Sequence, residues 1–515
     1  MASQAGQRPG GGPPAAGGPP ANGPGGPPGG WSGGAPQAER GGPFRALRPF
    51  RYGSYTAYWA GSILSITSFF MLIIARGWLT FDITSSDLWV TLVSAASLLP
   101  ALFLSILGGV IADRFNRKHI LIASEISNFA THIALALLVL TEFIEVWHLV
   151  ALSLLHGTMF ALSSPARFSI VPSLVPPNLI ANATALSSIM FSGGALMGPV
   201  AAGFLLDVEP SFAFFAGAAL VGVSAPLFLL IKLNAAPAWG QGQQRGGVFE
   251  NIIEGLRHIR ERKILLGLVL MGMVATFFGM PYQALLPVFA EEILEAGPTG
   301  LGWLGMAGGV GGTIGSLLIA TFSSVNQLKA WLVAGSLGVG LFIAGFAQAT
   351  WFAGLLGLDL SGAFIIALIF AGVAGWFFQM VMTGNFSLVQ VLTPDQLRGR
   401  VMSVRLIVFG FQPFALIVTG VIAEIYGAPF AVTLTGLGLF ICSVALLSFF
   451  PALRKKTDDA VQGVGHGPPM GDPQRGGPPN GVADGHSGPP VDGEAPAGRP
   501  PAAVAERPAG SSPAD

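Results

Sequence analysis

Long apolar runs, each broken by a few polar residues, fill the middle of the chain. A bilayer-crossing helix needs about 20 mostly apolar residues. The pattern predicts twelve such helices, at 55–79, 89–111, 120–140, 149–168, 180–206, 212–231, 264–284, 301–322, 330–349, 363–386, 401–425 and 430–450. Six runs precede a polar break at 233–263 and six follow it. Inside the break, Phe249, Ile252, Ile253, Leu256 and Ile259 recur at helical spacing, with Glu250, Glu254, Arg257 and Glu261 opposite them. That periodicity predicts an amphipathic helix, lying either on a membrane interface or against protein loops.

The ends are different material. Residues 1–44 and 453–515 are rich in Gly, Pro and Ala, too poor in apolar side chains to offset the entropy of ordering, and are expected to be disordered tails. The expected organisation is therefore a tail at 1–44, a six-helix bundle at 45–232, a linker with its amphipathic helix at 233–263, a second six-helix bundle at 264–452 and a tail at 453–515.

Composition agrees with a multi-pass membrane protein. Hydrophobic residues make up 51% of the chain and charged residues 10%, too little charge to coat a soluble fold. The single cysteine, Cys442, excludes an intramolecular disulfide and a Cys-based zinc site, and no metal or cofactor is expected. A net charge of zero gives no reason to expect nucleic acid as a partner.

The few charges are sorted by side. Arg40, Arg45, Arg48 and Arg51 precede the first run; Arg114, Arg117 and Lys118 follow the second; Arg167 closes the fourth. Lys232, Arg257, Arg260, Arg262 and Lys263 occupy the central break, Lys329 follows the eighth run, Arg398 and Arg400 precede the eleventh, and Arg454, Lys455 and Lys456 follow the twelfth. The alternate loops hold Asp82, Asp87, Glu142, Glu145, Asp207, Glu209, Glu291, Glu292, Glu295, Asp359 and Glu424, and no Lys or Arg. Basic loops mark the cytoplasmic side, so both termini are expected inside, with the chain in the cell membrane.

The halves repeat each other. "FSIVPSLVPPNL" starts at Phe168 and "FSLVQVLTPDQL" at Phe386, an offset of 218 (386 − 168). Both segments leave a fourth run and enter a fifth on the same side. Six runs per half make the repeats parallel, the symmetry of transporters that rock two bundles about a midplane site. The fifth run, with Gly194, Ala195, Gly198, Pro199, Ala202 and Gly203, is built for close helix contact. Its expected partner is the eighth, which carries Gly305, Gly308, Gly309, Gly311, Gly312 and Gly315.

"GGVIADRFNRK", with Gly109, Asp113, Arg114, Arg117 and Lys118, resembles the signature between spans two and three of the major facilitator superfamily. Asn116 stands where that pattern has Gly, a mild departure if the turn needs a left-handed residue. "GALMGPVAAG" (Gly194, Gly198, Pro199, Gly203) resembles the antiporter signature of the same superfamily. "GWLTFDIT", "SSPARFSIVPSLVP", "PYQALLPVFA" and "DQLRGRVMSV" resemble the branch holding the enterobactin exporter and macrolide efflux pumps. The resemblance spans roughly residues 45–452. It implies an all-α membrane fold of twelve helices in two parallel-related bundles. It further implies a latch that sets Asp113 against the start of span eleven near Arg398 and Arg400. The bases beside Asp113 have a plainer alternative role, enforcing topology.

Ionisable groups within spans are costly and are therefore functional candidates. His156, Glu125 and His132, in that order, are the candidates for carrying a proton. Arg76 is read either as snorkelling toward Asp82 or the interface, or as contacting an anionic substrate. In the resembling fold, spans one, four, seven and ten line the cavity, which nominates Phe69, Phe160, Phe278, Tyr282, Gln283, Trp376 and Gln379. Aromatics with scattered amides suit a bulky amphipathic molecule. The expected function is proton-coupled export of such a molecule by a monomer using alternating access, with lysophospholipid flipping or nutrient uptake as alternatives. A membrane enzyme is disfavoured, because no span carries a catalytic cluster, and no nucleotide-binding GxxxxGK[ST] motif appears.

The charge asymmetry makes a testable statement. In a Cys442→Ser background, single cysteines placed at Phe143 and Ile293 should react with an impermeant thiol reagent in intact cells, and cysteines at Asn116 and Gly240 should not. The reverse pattern overturns the orientation.

Overall fold

The computed structural model describes residues 43–232, 248–321 and 324–454; most of both expected tails and part of the central break lie outside these residues. The described residues form helices and short connections with no strand among them. The first six are α1 (Gly53–Thr84), α2 (Asp87–Arg114), α3 (Arg117–Leu140), α4 (Val146–Ile170), α5 (Ile180–Val208) and α6 (Pro210–Leu229). Then come α7 (Val248–Glu261), α8 (Lys263–Gly279), α9 (Gly297–Thr321), α10 (Val325–Ala347), α11 (Leu360–Leu392), α12 (Asp395–Phe409), α13 (Gln412–Tyr426) and α14 (Ala428–Phe449). Among the described residues, 11 helices are long and apolar enough to cross a membrane by length and composition.

Three expected spans are corrected. The run at 401–425 is two helices, α12 and α13, parted at Gly410 and Phe411; Pro413 lacks the N–H that would bond residue 409 and its ring crowds that carbonyl. The run at 264–284 continues beyond α8 through short helical turns to Ile293, giving a span of 31 residues. The run at 363–386 is longer at both ends, reaching from Leu360 to Leu392, and a short helix, Ala349–Leu355, precedes it.

Helix starts follow local chemistry. The Ser86 hydroxyl accepts from the Trp89 N–H at 3.3 Å and caps α2. Asn116 is not left-handed: with φ −64° and ψ 117° it is the N-cap of α3, and its Oδ1 accepts from the Lys118 N–H at 3.0 Å. The expected tight turn is thus a cap, a role in which Asn excels and Gly is weaker.

Packing repeats between halves. In each, the second span packs on the fourth (α2 on α4, α9 on α11) and the third on the sixth (α3 on α6, α10 on α14). Even a capping device recurs. Lys118, at the start of the third span, donates to the Leu229 and Ile231 carbonyls at the end of the sixth, at 2.7 and 2.9 Å. Lys329, at the start of the ninth, donates to the Ala452 carbonyl beyond the twelfth at 3.1 Å. Arg117 likewise donates to the Ser169 carbonyl, at 2.8 Å. Cations on helix C-terminal carbonyls satisfy orphan acceptors and oppose the dipole.

Two seams join the halves: α5 against α9, and α2 against α13. In the first, a Cβ on Gly203 would sit 2.9 Å from the Gly302 Cα, so only glycine permits this approach. The Ala195 carbonyl, deprived of its intrahelical donor by Pro199, lies against Gly309. Gly194 and Gly198 face α1 instead, against Ile66, Thr67 and Phe70, so the antiporter-like segment serves two neighbours rather than one. On α9, Gly311 and Gly315 turn toward α11, and Gly308 toward the Tyr282 hydroxyl.

Candidate functional site

The first span presents candidate residues on two faces. Ser62, Ser65 and Ser68, three residues apart, line one side of α1. Opposite them stand Glu125 and His132 of α3, seven residues apart and hence on one face. Glu125 is fully buried. Its carboxylate pairs with Arg167 of α4 at 2.9 Å and accepts from Ser65 at 2.8 Å and from Ser224 of α6 at 3.0 Å. Arg167 also reaches Ser62 and lies over the Phe228 ring, 5.8 Å from its centre, and its carbonyl accepts from the Tyr58 hydroxyl at 3.0 Å. Four helices are thus tied at one point. Glu125, a candidate for carrying a proton, pairs with a base inside its own bundle.

His132 occupies the next layer. Its Nδ1 lies 2.7 Å from the Asn128 carbonyl, an acceptor only, so Nδ1 carries the hydrogen and Nε2 accepts from the Ser68 hydroxyl at 2.9 Å. Ser68 also reaches the Gly217 carbonyl of α6 at 3.0 Å, so one hydroxyl proton serves two acceptors.

The other face of α1 meets α4. Phe69 and Arg76 share it, seven residues apart, as do Ser153, His156 and Phe160 on α4. Arg76 is 3% exposed, and its Nη1 donates to the Ser153 hydroxyl at 2.8 Å. Snorkelling toward Asp82 is not what the structure shows. Phe69 stacks on His156, centroids 5.6 Å apart, and on Phe160, 5.1 Å apart. His156 is 3% exposed and neither ring nitrogen has a hydrogen-bond partner.

The remaining candidates are scattered. Tyr282 is buried against Phe346 and Gln283 is exposed. Trp376 stacks on Phe377 with its Nε1 buried and unpartnered, and Gln379 donates to Thr383 at 3.0 Å. No hydrogen bond or ring contact among the described residues joins these four to the Arg76 group. Gly109 and the side chains of Asp113 and Arg114 lie outside the described residues. Arg117 and Lys118 bond within their own half, as above. Arg398 donates to the Gln390 carbonyl at 3.2 Å, and Arg400 pairs with Glu254 of α7. The amphipathic helix therefore packs on α12: Ile259 is buried there, while Ile253 and Leu256 stay exposed. Ser62, Ser65, Ser68, Ser153 and Ser224 escaped the sequence reading, although the three-residue rhythm of the first three is visible in "GSILSITSFF".

At the end bearing the acidic loops, α2 and α13 are joined by one carboxylate. Glu424 accepts from the Ser86 hydroxyl at 2.8 Å and from the Leu88 N–H at 3.0 Å, capping a helix of the opposite half. Nearby, the Thr91 side chain abuts Gly420, and Gly77 of α1 abuts Pro287.

The family model for transmembrane secretion effectors matches residues 44–470. The multidrug efflux pump Tap of Mycolicibacterium fortuitum is 25% identical over 400 residues, 74% of this chain and 92% of that protein. Macrolide efflux protein A of Streptococcus pyogenes is 26% identical over 414 residues, 77% and 96% of the two chains. Among solved structures, the nucleoside transporter NupG aligns with a TM-score of 0.62 at 15% identity, covering 78% of this chain and all of that one, a likeness of fold.

The Glu125–Arg167 pair yields a stability prediction. Glu125→Gln leaves the partly buried Arg167 guanidinium without its counter-charge and should cost about 3 kcal/mol, the lower end for breaking a buried pair, read as a clear drop in melting temperature of the purified protein. The double variant Glu125→Gln/Arg167→Gln should recover most of the loss. Equal loss in single and double variants would show that the pair is not coupled.

Proposed function

This chain belongs to the transmembrane secretion effector family of the major facilitator superfamily, and we propose that it exports a bulky amphipathic small molecule in exchange for protons. The observation that carries this reading is the combination of a polar clasp at one end with two seams of close contact. Glu424 clasps the two halves at the acidic end, while α5 and α9 meet through glycines on which two halves can rock. With the basic end assigned to the cytoplasm by the positive-inside rule, the clasped end faces outward and substrate enters from inside. The efflux activities named for its relatives support the same direction. The protein works as a monomer in the cell membrane, with both termini inside.

A proton carrier must bind its proton in one access state and release it in the other. His156 ranks first by position in the sequence, yet its nitrogens have no partner through which a proton could arrive. His132 sits in the same bundle as the uncompensated charge of Arg76. Glu125 is the better-placed carrier, because its carboxylate has Arg167, Ser65 and Ser224 as partners through which a proton can pass. Asp113 couples through the latch to the start of α12.

In proteoliposomes loaded with a substrate dye, an imposed pH gradient should accelerate wild-type export. The Glu125→Gln/Arg167→Gln variant, in which no charge is stranded, should retain substrate counterflow and lose the acceleration. Wild-type transport that ignores the gradient overturns proton coupling.

A further inference from the structure

Arg76 is a buried cation whose charge no carboxylate answers. Its guanidinium has five N–H donors; Nη1 bonds Ser153 at 2.8 Å, and Nε reaches the Leu72 carbonyl only at 3.4 Å. No acidic side chain among the described residues pairs with it. Glu125, the buried carboxylate of the same half, is already held by Arg167. A lone guanidinium inside a membrane bundle is costly, and nothing in the packing of α1 against α4 requires one.

The surroundings are built to receive a ligand rather than to bury a charge. Ser153 accepts from Arg76, which leaves its own hydroxyl proton to donate. One turn along α4, His156 presents two buried ring nitrogens with no partner, although buried polar atoms are normally satisfied. The His156 ring is fixed by stacking on Phe69, which stacks in turn on Phe160. Phe160 is 40% exposed, so the ladder ends in an open aromatic face.

We infer that Arg76, Ser153 and His156 form the recognition point for one anionic group of the exported molecule, a carboxylate, sulfonate, phosphate or phenolate, on a flat aromatic body that lies along Phe69 and Phe160. The inference takes the exporter from the reading above and the anion from this geometry alone. Guanidinium-to-anion bonds are charge-assisted and among the strongest available to a side chain, and a bare cation in a dry bundle rejects a cationic rival by repulsion. An anion leaving an inside-negative cell also moves with the membrane potential.

The test compares fluorescein with rhodamine 123, anionic and cationic dyes on one xanthene core, by anisotropy titration of the purified full-length protein in an uncharged detergent. Wild type should bind fluorescein about tenfold or more tightly than rhodamine 123. Arg76→Gln should erase that preference, weakening fluorescein and leaving rhodamine 123 unchanged or tighter, while Arg76→Lys retains part of it. His156→Phe, which keeps the ring ladder, should weaken fluorescein alone.

Displacement of fluorescein by lysophosphatidylglycerol ahead of benzoate identifies a lipid headgroup as the anion, and the reverse order a small carboxylate; either supports the site. Equal binding of both dyes, preference for rhodamine 123, binding of neither, or parallel loss of both in Arg76→Gln overturns it. A fluorescein preference without dye export from proteoliposomes leaves the anion site standing and removes the transport reading.

Discussion

Lipid offers no hydrogen bond, so every polar group placed in a span must find its partner inside the protein. That constraint organises the first half of this chain. The serines of α1 do not point outward; they meet Glu125 and His132 of α3 and Arg167 of α4, so the bonds tie α1 to two other helices. At the ends of the helices the same need is met by Arg117, Lys118 and Lys329, which cover the carbonyls where neighbouring helices stop. A bundle stapled at several depths moves as one body. Arg76, with no carboxylate, and His156, with no hydrogen-bond partner, depart from the rule, as does the Asn128 Oδ1; polar groups buried at such cost are candidates for function.

Between the halves the bonding is of another kind. Glycine against glycine along α5 and α9 gives close contact without directional bonds, and packing of that sort can tilt. The directional contact is Glu424 on the start of α2, at the far end from the basic loops. A hinge of small residues with a polar clasp at one rim is what two rocking bodies need. The linker helix adds a tie at the other rim through Glu254 and Arg400, beside the segment where the latch of Asp113 is proposed to close.

Much of this was legible in the sequence. Hydrophobic length placed most of the spans, helical spacing found the amphipathic α7, and small-residue clusters identified the seam between α5 and α9. What periodicity could not supply was register between helices. Arg76 can be seen as an intramembrane charge from its position, but its bond to Ser153, 77 residues away, depends on how far α1 and α4 slide past each other. The pairing of Glu125 with Arg167 is hidden for the same reason. Asn116 was legible as a turn residue and misassigned in geometry, because caps and left-handed turns favour the same side chain. The break before Pro413 was present in the sequence and masked by the strength of the apolar run around it.

The central claim is that two rigid halves rock on the glycine seam, opening one rim as the other closes. Double electron–electron resonance tests it most directly, with spin labels at Ser85 and Tyr426 across the acidic rim and at Asn116 and Arg398 across the basic rim, in a Cys442→Ser background. Acidification should lengthen the first distance and shorten the second within one population shift. Two distances that stay fixed, or that lengthen together, would contradict the account.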